Sequence, residues 1–314
     1  MKLAVPREHA YLGAYIDFGE TEDDVTVEAI QDYEDLAEKP QAIIAMSSFW
    51  GKQNFPAKQL GIIRSYGAVP LVFWSPWDHP FEEMKKLDRF NLRNILAGQW
   101  DSYIKSWAES ARHYGYPMLV AWGLEMNGEW FPWSGIFYGG GKIVPGSDPV
   151  RYEGPELYKQ AYRYVVDKVR AAGATNVAWV FHVNNSSDPE GQWNRMANYY
   201  PGSQYVDWIG VSAYGKQYLT GSDWISFENT FPRYYQELCA LDPSKPLMLA
   251  EWGVGEFPRQ GDKASWLKEG FERFPVEFPR LKAVVYWHER WQNGDLSYSN
   301  LRINSSPQSL QAFR

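Results

Sequence analysis

Cysteine is almost absent from this 314-residue chain, with Cys239 standing alone. A single thiol closes no disulfide within the chain and builds no cysteine-based metal site. It falls in an apolar helical run, residues 234–241, where it reads as a small buried side chain. Long apolar runs are missing as well. No stretch approaches the roughly 20 residues of a membrane span. Residues 1–10 lack the apolar centre of a signal peptide. Positive charge is in deficit, since 31 Lys and Arg face 38 Asp and Glu for a net charge of −7. Nucleic acid and other polyanions require a basic face, so neither they nor a membrane are expected partners. No Pro/Gly/Ser-rich linker divides the chain, which reads as a single domain over 1–314.

Aromatic residues are in excess. There are 16 Trp, 21 Tyr and 16 Phe, or 17% of the chain. A core alone rarely needs so many tryptophans, and aromatic faces also stack on flat, weakly polar ligands such as sugar rings. For most individual tryptophans the plainer reading is still core packing.

Eight short apolar runs read as strands: 11–18, 42–49, 69–74, 118–122, 177–183, 206–213, 247–252 and 281–287. Amphipathic stretches separate them at 26–38, 57–65, 95–114, 155–172, 192–199, 224–240 and 263–274. Eight strands with intervening helices predict a single (β/α)8 TIM barrel. An open doubly wound sheet also reads β-α-β, but Gly13 and Gly19 are too far apart for its usual glycine fingerprint. A Gly-rich stretch at 135–149 breaks the rhythm and reads as a long loop. Gly140-Gly141-Lys142 does not make it a phosphate loop. Ile136 stands where the first glycine is required, and Ile143 where Ser or Thr should follow. Such a loop over a barrel mouth shapes a substrate cleft.

Barrel function collects where strands end and loops begin. Glu125 and Glu251 stand there, at the ends of the fourth and seventh runs. A charge in such a place is costly without a partner or a task. The ends of strands four and seven lie roughly opposite one another over a barrel mouth. Two opposed carboxylates in an aromatic cleft suit glycosidic bond cleavage, one as acid and the other as nucleophile or base. Other chemistry-bearing residues at strand ends are Trp74, Trp77, Asn127, Trp130, Trp133, His182, Asn184, Trp252, Trp287 and His288, read as substrate-binding. His79, His182 and His288 with Asp78 or Glu289 show no metal-ligand spacing, and neither metal nor cofactor is expected.

The chain resembles glycoside hydrolase family 26, the retaining β-mannanase and lichenase family. The likeness rests on Gly67-Ala-Val-Pro-Leu-Val-Phe-Trp-Ser-Pro-Trp, Leu96-Ala-Gly-Gln-Trp-Asp-Ser-Tyr and Glu125-Met-Asn-Gly-Glu-Trp-Phe-Pro-Trp-Ser. Further segments are Tyr200-Pro-Gly-Ser-Gln-Tyr-Val-Asp-Trp-Ile-Gly-Val-Ser-Ala-Tyr-Gly, Leu249-Ala-Glu-Trp-Gly and the tail Leu301-Arg-Ile-Asn-Ser-Ser. The resemblance implies that Glu125 is the general acid/base and Glu251 the nucleophile. By the same resemblance Tyr214 aims Glu251, Trp130 sits beside the acid, and Trp287 forms a platform under the sugar at the scissile bond. Asp101 is part of the family motif, yet reads as a helix residue with a partner network.

One departure matters. Many members carry Arg-x-x-His before the acid, where this chain has Ala121 and Leu124. Leucine donates no hydrogen bond, so another donor is expected to serve the acid, with His182 or Asn184 as candidates. The expected activity is retaining endo-β-glycanase hydrolysis of a neutral β-linked polysaccharide, with carboxyl groups about 5–5.5 Å apart. Mixed-linkage β-1,3-1,4-glucan and β-mannan lead, and the departure tilts the choice toward the glucan. A catalytically inactive carbohydrate-binding barrel and a transglycosylase remain alternatives at this stage. A monomer is expected, and a polysaccharide substrate implies an extracellular site of action.

Overall fold

The computed structural model describes residues 2–78, 89–221 and 223–314; His79 lies outside them. Eight strands close into a parallel barrel in sequential order. They are β1 Tyr11–Ile16, β2 Ile43–Phe49, β3 Val69–Ser75, β4 Met118–Trp122, β5 Val177–Asn184, β6 Trp208–Tyr214, β7 Leu247–Gly253 and β8 Leu281–His288. The sequence places every one of them to within two residues at each end. The signal is strong because a parallel strand covered on both faces is a continuous apolar run. Every residue of β2, β4 and β7 is buried. β1 closes the ring on β8 with six aligned residues, from Tyr11 opposite Ala283 to Ile16 opposite His288.

The helices are α1 Val27–Ala37, α2 Ala57–Ser65, α3 Leu92–Leu96, α4 Asp101–Tyr114, α5 Glu153–Ala171, α6 Met196–Tyr199, α7 Phe231–Leu241, α8 Lys263–Glu277 and α9 Pro307–Phe313. Side-chain caps set several starts. Thr26 accepts from the Ala29 amide at α1, and Asp262 accepts from the Ser265 amide at α8. The predicted helix at 95–114 is two helices. Gly98, at φ 82°, is in the left-handed region and ends the first, which Asn91 caps. The predicted helix at 224–240 starts only at Phe231, with Pro232 in its first turn. The C-terminal hairpin, β9 Arg290–Gln292 with β10 Tyr298–Asn300, and α9 have no counterpart in the sequence reading. Asp101 does join a partner network, accepting from the Tyr164 hydroxyl at 2.7 Å and the Lys168 ammonium at 2.5 Å.

The chain groups into two compact units. One is built mainly from Ser47–Lys58 and Leu71–Gly210, the other from Val5–Met46, Gln59–Pro70 and Val211–Arg314. Each has its own aromatic packing. In the first, Trp74 stacks on Trp107 at 4.1 Å, with Trp50 and Tyr103 against them. In the second, Trp252 stacks on Trp266 at 5.0 Å within a shell of Phe227, Phe271, Phe274 and Tyr286. Eight of the 16 tryptophans are under 2% exposed, so much of the aromatic excess is structural. A ring in such a place is worth about 3–5 kcal/mol against Ala.

The first part of the Gly-rich stretch after β4, residues 135–140, is packed, whereas residues 141–149 are mostly exposed. A Cβ on Gly154 would meet the Gly135 carbonyl at 2.2 Å, and one on Gly141 would meet Trp193 at 2.7 Å. The amides of Gly140 and Lys142 bond the carbonyls of Gly135 and Gly139. The glycines therefore serve close backbone approach to the start of α5, not phosphate binding. A cavity of about 320 Å³ opens at the N-terminal ends of β1 and β8, among Tyr11, Phe271, Phe274 and Phe278. No carboxylate lines it, and it lies at the end of the barrel associated with stability rather than chemistry. No helix among the described residues is long and apolar enough to cross a membrane.

Candidate active site

β4 ends in a tight turn that the sequence builds almost unaided. Gly123 takes φ 57°, and its carbonyl accepts the Tyr158 hydroxyl at 2.9 Å. Glu125 follows at φ 53°, a left-handed conformation that non-glycine residues enter at a cost of roughly 1–2 kcal/mol. The strain is held by bonds on both sides of the residue. The Glu125 amide donates to the His182 carbonyl at 2.8 Å, and the Glu125 carbonyl accepts from Gly128 at 2.9 Å. Such strain commonly marks functional positions.

The rest of the motif has separate physical tasks. The Trp130 indole N–H donates to Glu125 Oε2 at 2.7 Å. Gly128 makes room for that ring, because a Cβ there would lie 2.4 Å from Trp130 Cζ2. Asn127 is fully buried and clamps the end of β5. Its amide donates to the Asn184 and Ser186 carbonyls, and its oxygen accepts the Asn184 amide at 2.9 Å. Trp133 donates to the Leu124 carbonyl at 2.6 Å. Trp130 is 36% exposed and leads into a wall of Phe131, Trp133 and Trp77. Phe131 escaped the sequence reading although it sits inside the quoted motif. Its place in the run Trp130-Phe131-Pro132-Trp133 was the available signal.

At the end of β7, Glu251 lies in a strand irregularity. From Leu249 to Trp252 is three steps along β7, but their partners Val284 and Tyr286 are two steps apart on β8. One extra residue therefore bulges from β7 across Ala250-Glu251, a device that re-aims a side chain near a site. The Tyr214 hydroxyl, at the end of β6, donates to Glu251 Oε2 at 2.8 Å. The Gly215 amide donates to the Gly253 carbonyl at 2.9 Å and locks the two strand ends together. At the end of β8, Trp287 stacks on Tyr15 at 3.9 Å and 19°. Its indole N–H donates to Glu289 Oε2 at 2.7 Å. Burial, with the nearby Glu22 and Asp17, pushes the Glu289 carboxyl up to about 7, against the pull of the Trp287 donor and Arg302. Glu289 thus fixes the Trp287 ring through that indole N–H bond.

Several residues read as substrate-binding are placed elsewhere. Trp74 and Trp252 are fully buried, and each has a face covered by a stacked ring, Trp107 and Trp266. They are packing residues, and this corrects their assignment to the sugar. Trp133 is fully buried too and supports the turn through Leu124. His288 accepts the Ile303 amide on Nδ1 at 3.0 Å and anchors the C-terminal segment. Burial pulls the imidazoles of both His182 and His288 down to about 3, with Arg302 and Lys263 adding to the effect at His288, so both rings are neutral near pH 7. As for the donor expected in place of the missing family His, Trp130 donates to the Glu125 carboxylate and a His182 ring nitrogen lies within 4.8 Å of a Glu125 carboxylate oxygen, while the Asn184 amide bonds Ser186. The Asn127 side chain bonds both the amide and the carbonyl of the Asn184 backbone and shapes the turn.

Fold and site together define a (β/α)8 barrel with a held carboxylate at the C-terminal end of β4 and another at that of β7. The sequence matches the family model of glycosyl hydrolase family 26 over residues 14–243. The chain belongs to glycosyl hydrolase family 26. It is 30% identical over 289 residues to Endoglucanase H of Acetivibrio thermocellus, covering 91% of this chain and 28% of that protein. It is 25% identical over 209 residues to a mannan endo-1,4-beta-mannosidase of Bacillus subtilis, covering 66% of this chain and 49% of that protein. The chain thus spans about half or less of the length of these relatives. Among solved structures, an endo-beta-1,4-mannanase of Cellulomonas fimi superposes with TM-score 0.67 at 18% identity, over 97% of this chain and 70% of that one. That likeness speaks to the fold.

Proposed function

We propose that this chain is a retaining endo-β-glycanase acting on a neutral β-linked polysaccharide. The observation that carries the reading is a family 26 barrel in which both strand-end carboxylates are kept and each accepts a placed donor, Trp130 on Glu125 and Tyr214 on Glu251. In the first step Glu251 attacks the anomeric carbon while Glu125 gives its proton to the leaving sugar oxygen. In the second step Glu125 takes a proton from water, which attacks the same carbon and frees Glu251. The mechanism requires the two carboxyl groups about 5–5.5 Å apart, since the wider separation of roughly 6.5–9.5 Å leaves room for a water and inverts. Tyr214 holds Glu251 in aim through its hydroxyl. Trp287, set by Tyr15 and Glu289, lies under the sugar at the scissile bond.

The favoured substrate is mixed-linkage β-1,3-1,4-glucan, with β-mannan second. Leu124 stands where many family members have His, which removes a polar group beside the acid, in a neighbourhood expected to contact substrate. The higher identity to a protein named as an endoglucanase points the same way. A polymer of this kind is met outside the cell, so secretion fits the reading. The test is reducing-sugar release from barley β-glucan, galactomannan, glucomannan, laminarin, carboxymethylcellulose and xylan, with Glu251→Gln alongside. Release from barley β-glucan, lost in the variant and with retained anomeric configuration, is expected. Release from galactomannan alone overturns the glucan preference, and inverted products overturn the mechanism.

A further inference from the structure

Beyond the strand ends, two aromatic residues stand at matching distances along the chain. Tyr218 is four residues past Tyr214, and Trp291 is four residues past Trp287. Four residues reach at most about 14 Å, so the Cα of each lies within that reach of the Cα of a candidate site residue. The two meet edge to face, with ring centroids 6.3 Å apart. The loops carrying them are tied to the end of β7. Gly255 donates to the Lys216 carbonyl at 2.8 Å, and Glu256 donates to the Asn300 carbonyl at 3.0 Å.

These rings are presented rather than packed away. Tyr218 is 50% exposed, and Trp291 is half-buried. Their setting is nevertheless rigid. Trp291 donates its indole N–H to Asn293 Oδ1 at 3.0 Å, and Asn293 in turn bonds Ser297 and Ser299 across the β9–β10 turn. Tyr298, on the other face of the hairpin, is covered by the Arg290 guanidinium at 3.8 Å. Thr220 Oγ1 donates to Asp295 Oδ2 at 3.3 Å and links the loop after β6 to the hairpin tip. The hairpin thus presents aromatic surface held by side-chain hydrogen bonds, which lowers the cost of ordering on binding.

We propose that Tyr218 and Trp291 form a distal subsite that stacks on sugar rings of the polysaccharide beyond those at the carboxylates. The inference rests on the glycanase reading above. The occupant is a stretch of the neutral β-linked glycan already engaged at the end of β7. Ring faces give apolar stacking area for the sugar rings. A subsite beyond the sugar at the scissile bond acts on longer substrates and leaves the shortest cleaved oligosaccharide unaffected.

The experiment compares wild type with Trp291→Ala, Trp291→Phe and Tyr218→Ala on the cleaved polymer and on that shortest oligosaccharide. Polymer KM is expected to rise roughly five- to tenfold in both alanine variants, with kcat within about twofold and the oligosaccharide kinetics unchanged. Trp291→Phe should recover most of the loss. An unchanged polymer KM in both alanine variants overturns the subsite and leaves the glycanase reading standing. Thermal unfolding reports whether Trp291→Ala disturbs the hairpin; if it does, Tyr218→Ala decides. If wild type cleaves no polymer, the glycanase reading fails separately, and affinity electrophoresis in the same polymers decides the subsite. Retardation of wild type that is lost in Trp291→Ala supports it, and equal mobility of the two, retarded or not, overturns it.

Discussion

Glu125 and Glu251 are almost equally buried, at 9% and 8% exposure, yet they are held in different ways. The turn around Glu125 is local. Trp130 supplies the donor, Gly128 gives it room, and Asn127 fixes the neighbouring strand end, all within five residues of the acid. The setting of Glu251 is assembled from afar. Its donor, Tyr214, lies 37 residues earlier, and its aim depends on a bulge registered against β8. A local device is written into one motif and survives change elsewhere. An assembled one depends on the barrel staying in register, so damage to it should spread further.

The largest expected effect on that contrast comes from Tyr214→Phe. The variant keeps the ring and removes one hydrogen bond to a charged acceptor, worth about 1.5–3 kcal/mol. If that bond matters to the reacting form of Glu251, kcat/KM falls roughly ten- to a hundredfold. Steady-state kinetics on the cleaved polymer measures it. An unchanged kcat/KM would mean that the bulge alone aims Glu251.

Gly128→Ala probes the local device with a smaller effect. The new methyl would lie 2.4 Å from Trp130 Cζ2, so the indole has to move off Glu125. A loss of about tenfold in kcat/KM is expected, equivalent to roughly 1.4 kcal/mol, with thermal stability close to wild type because Trp130 is partly exposed. Full activity would show that the turn holds Glu125 without its indole donor.

How far the sequence could be read follows the same division. The eight strands were legible because burial on both faces leaves a continuous apolar run. The acid motif was legible because its parts are adjacent in the chain. Trp74 and Trp252 were misplaced because alternate residues at a strand end face opposite sides. A linear list of strand-end tryptophans does not say which side meets a helix. The hairpin and α9 escaped notice because their elements are only three to seven residues long. What anchors them is distant. Lys263 at the start of α8 donates to the Arg302 carbonyl at 2.8 Å and to Ser305 at 2.9 Å, and Arg302 pairs with Asp17 at 2.5 Å. No periodicity in the sequence announces such bonds.

Glu289 extends the comparison to a third buried carboxylate, and here the effect is on stability. Its carboxyl is raised from 4.5 to about 7 by burial first, then by Glu22 and Asp17, while Trp287 and Arg302 oppose the shift. Tyr15, which packs against Trp287, is itself held un-ionised by burial. Below pH 4.5 the group is protonated folded or unfolded, and it contributes no slope. Between pH 4.5 and 7 the folded chain binds a proton that the unfolded chain has released, so stability falls as pH rises through this window. Above pH 7 the loss is complete, on the order of 3 kcal/mol. Glu289→Gln removes the titration, and its amide oxygen still accepts the Trp287 N–H. The variant should therefore melt higher than wild type at pH 8, the gap closing as pH falls to 4.5, with kcat changed less than twofold. A gap of the same size at both pH values would mean that packing, not charge, sets the cost of Glu289. A large fall in kcat would instead make its negative charge part of the platform's work, and would place a third carboxylate beside the two that the strand ends carry.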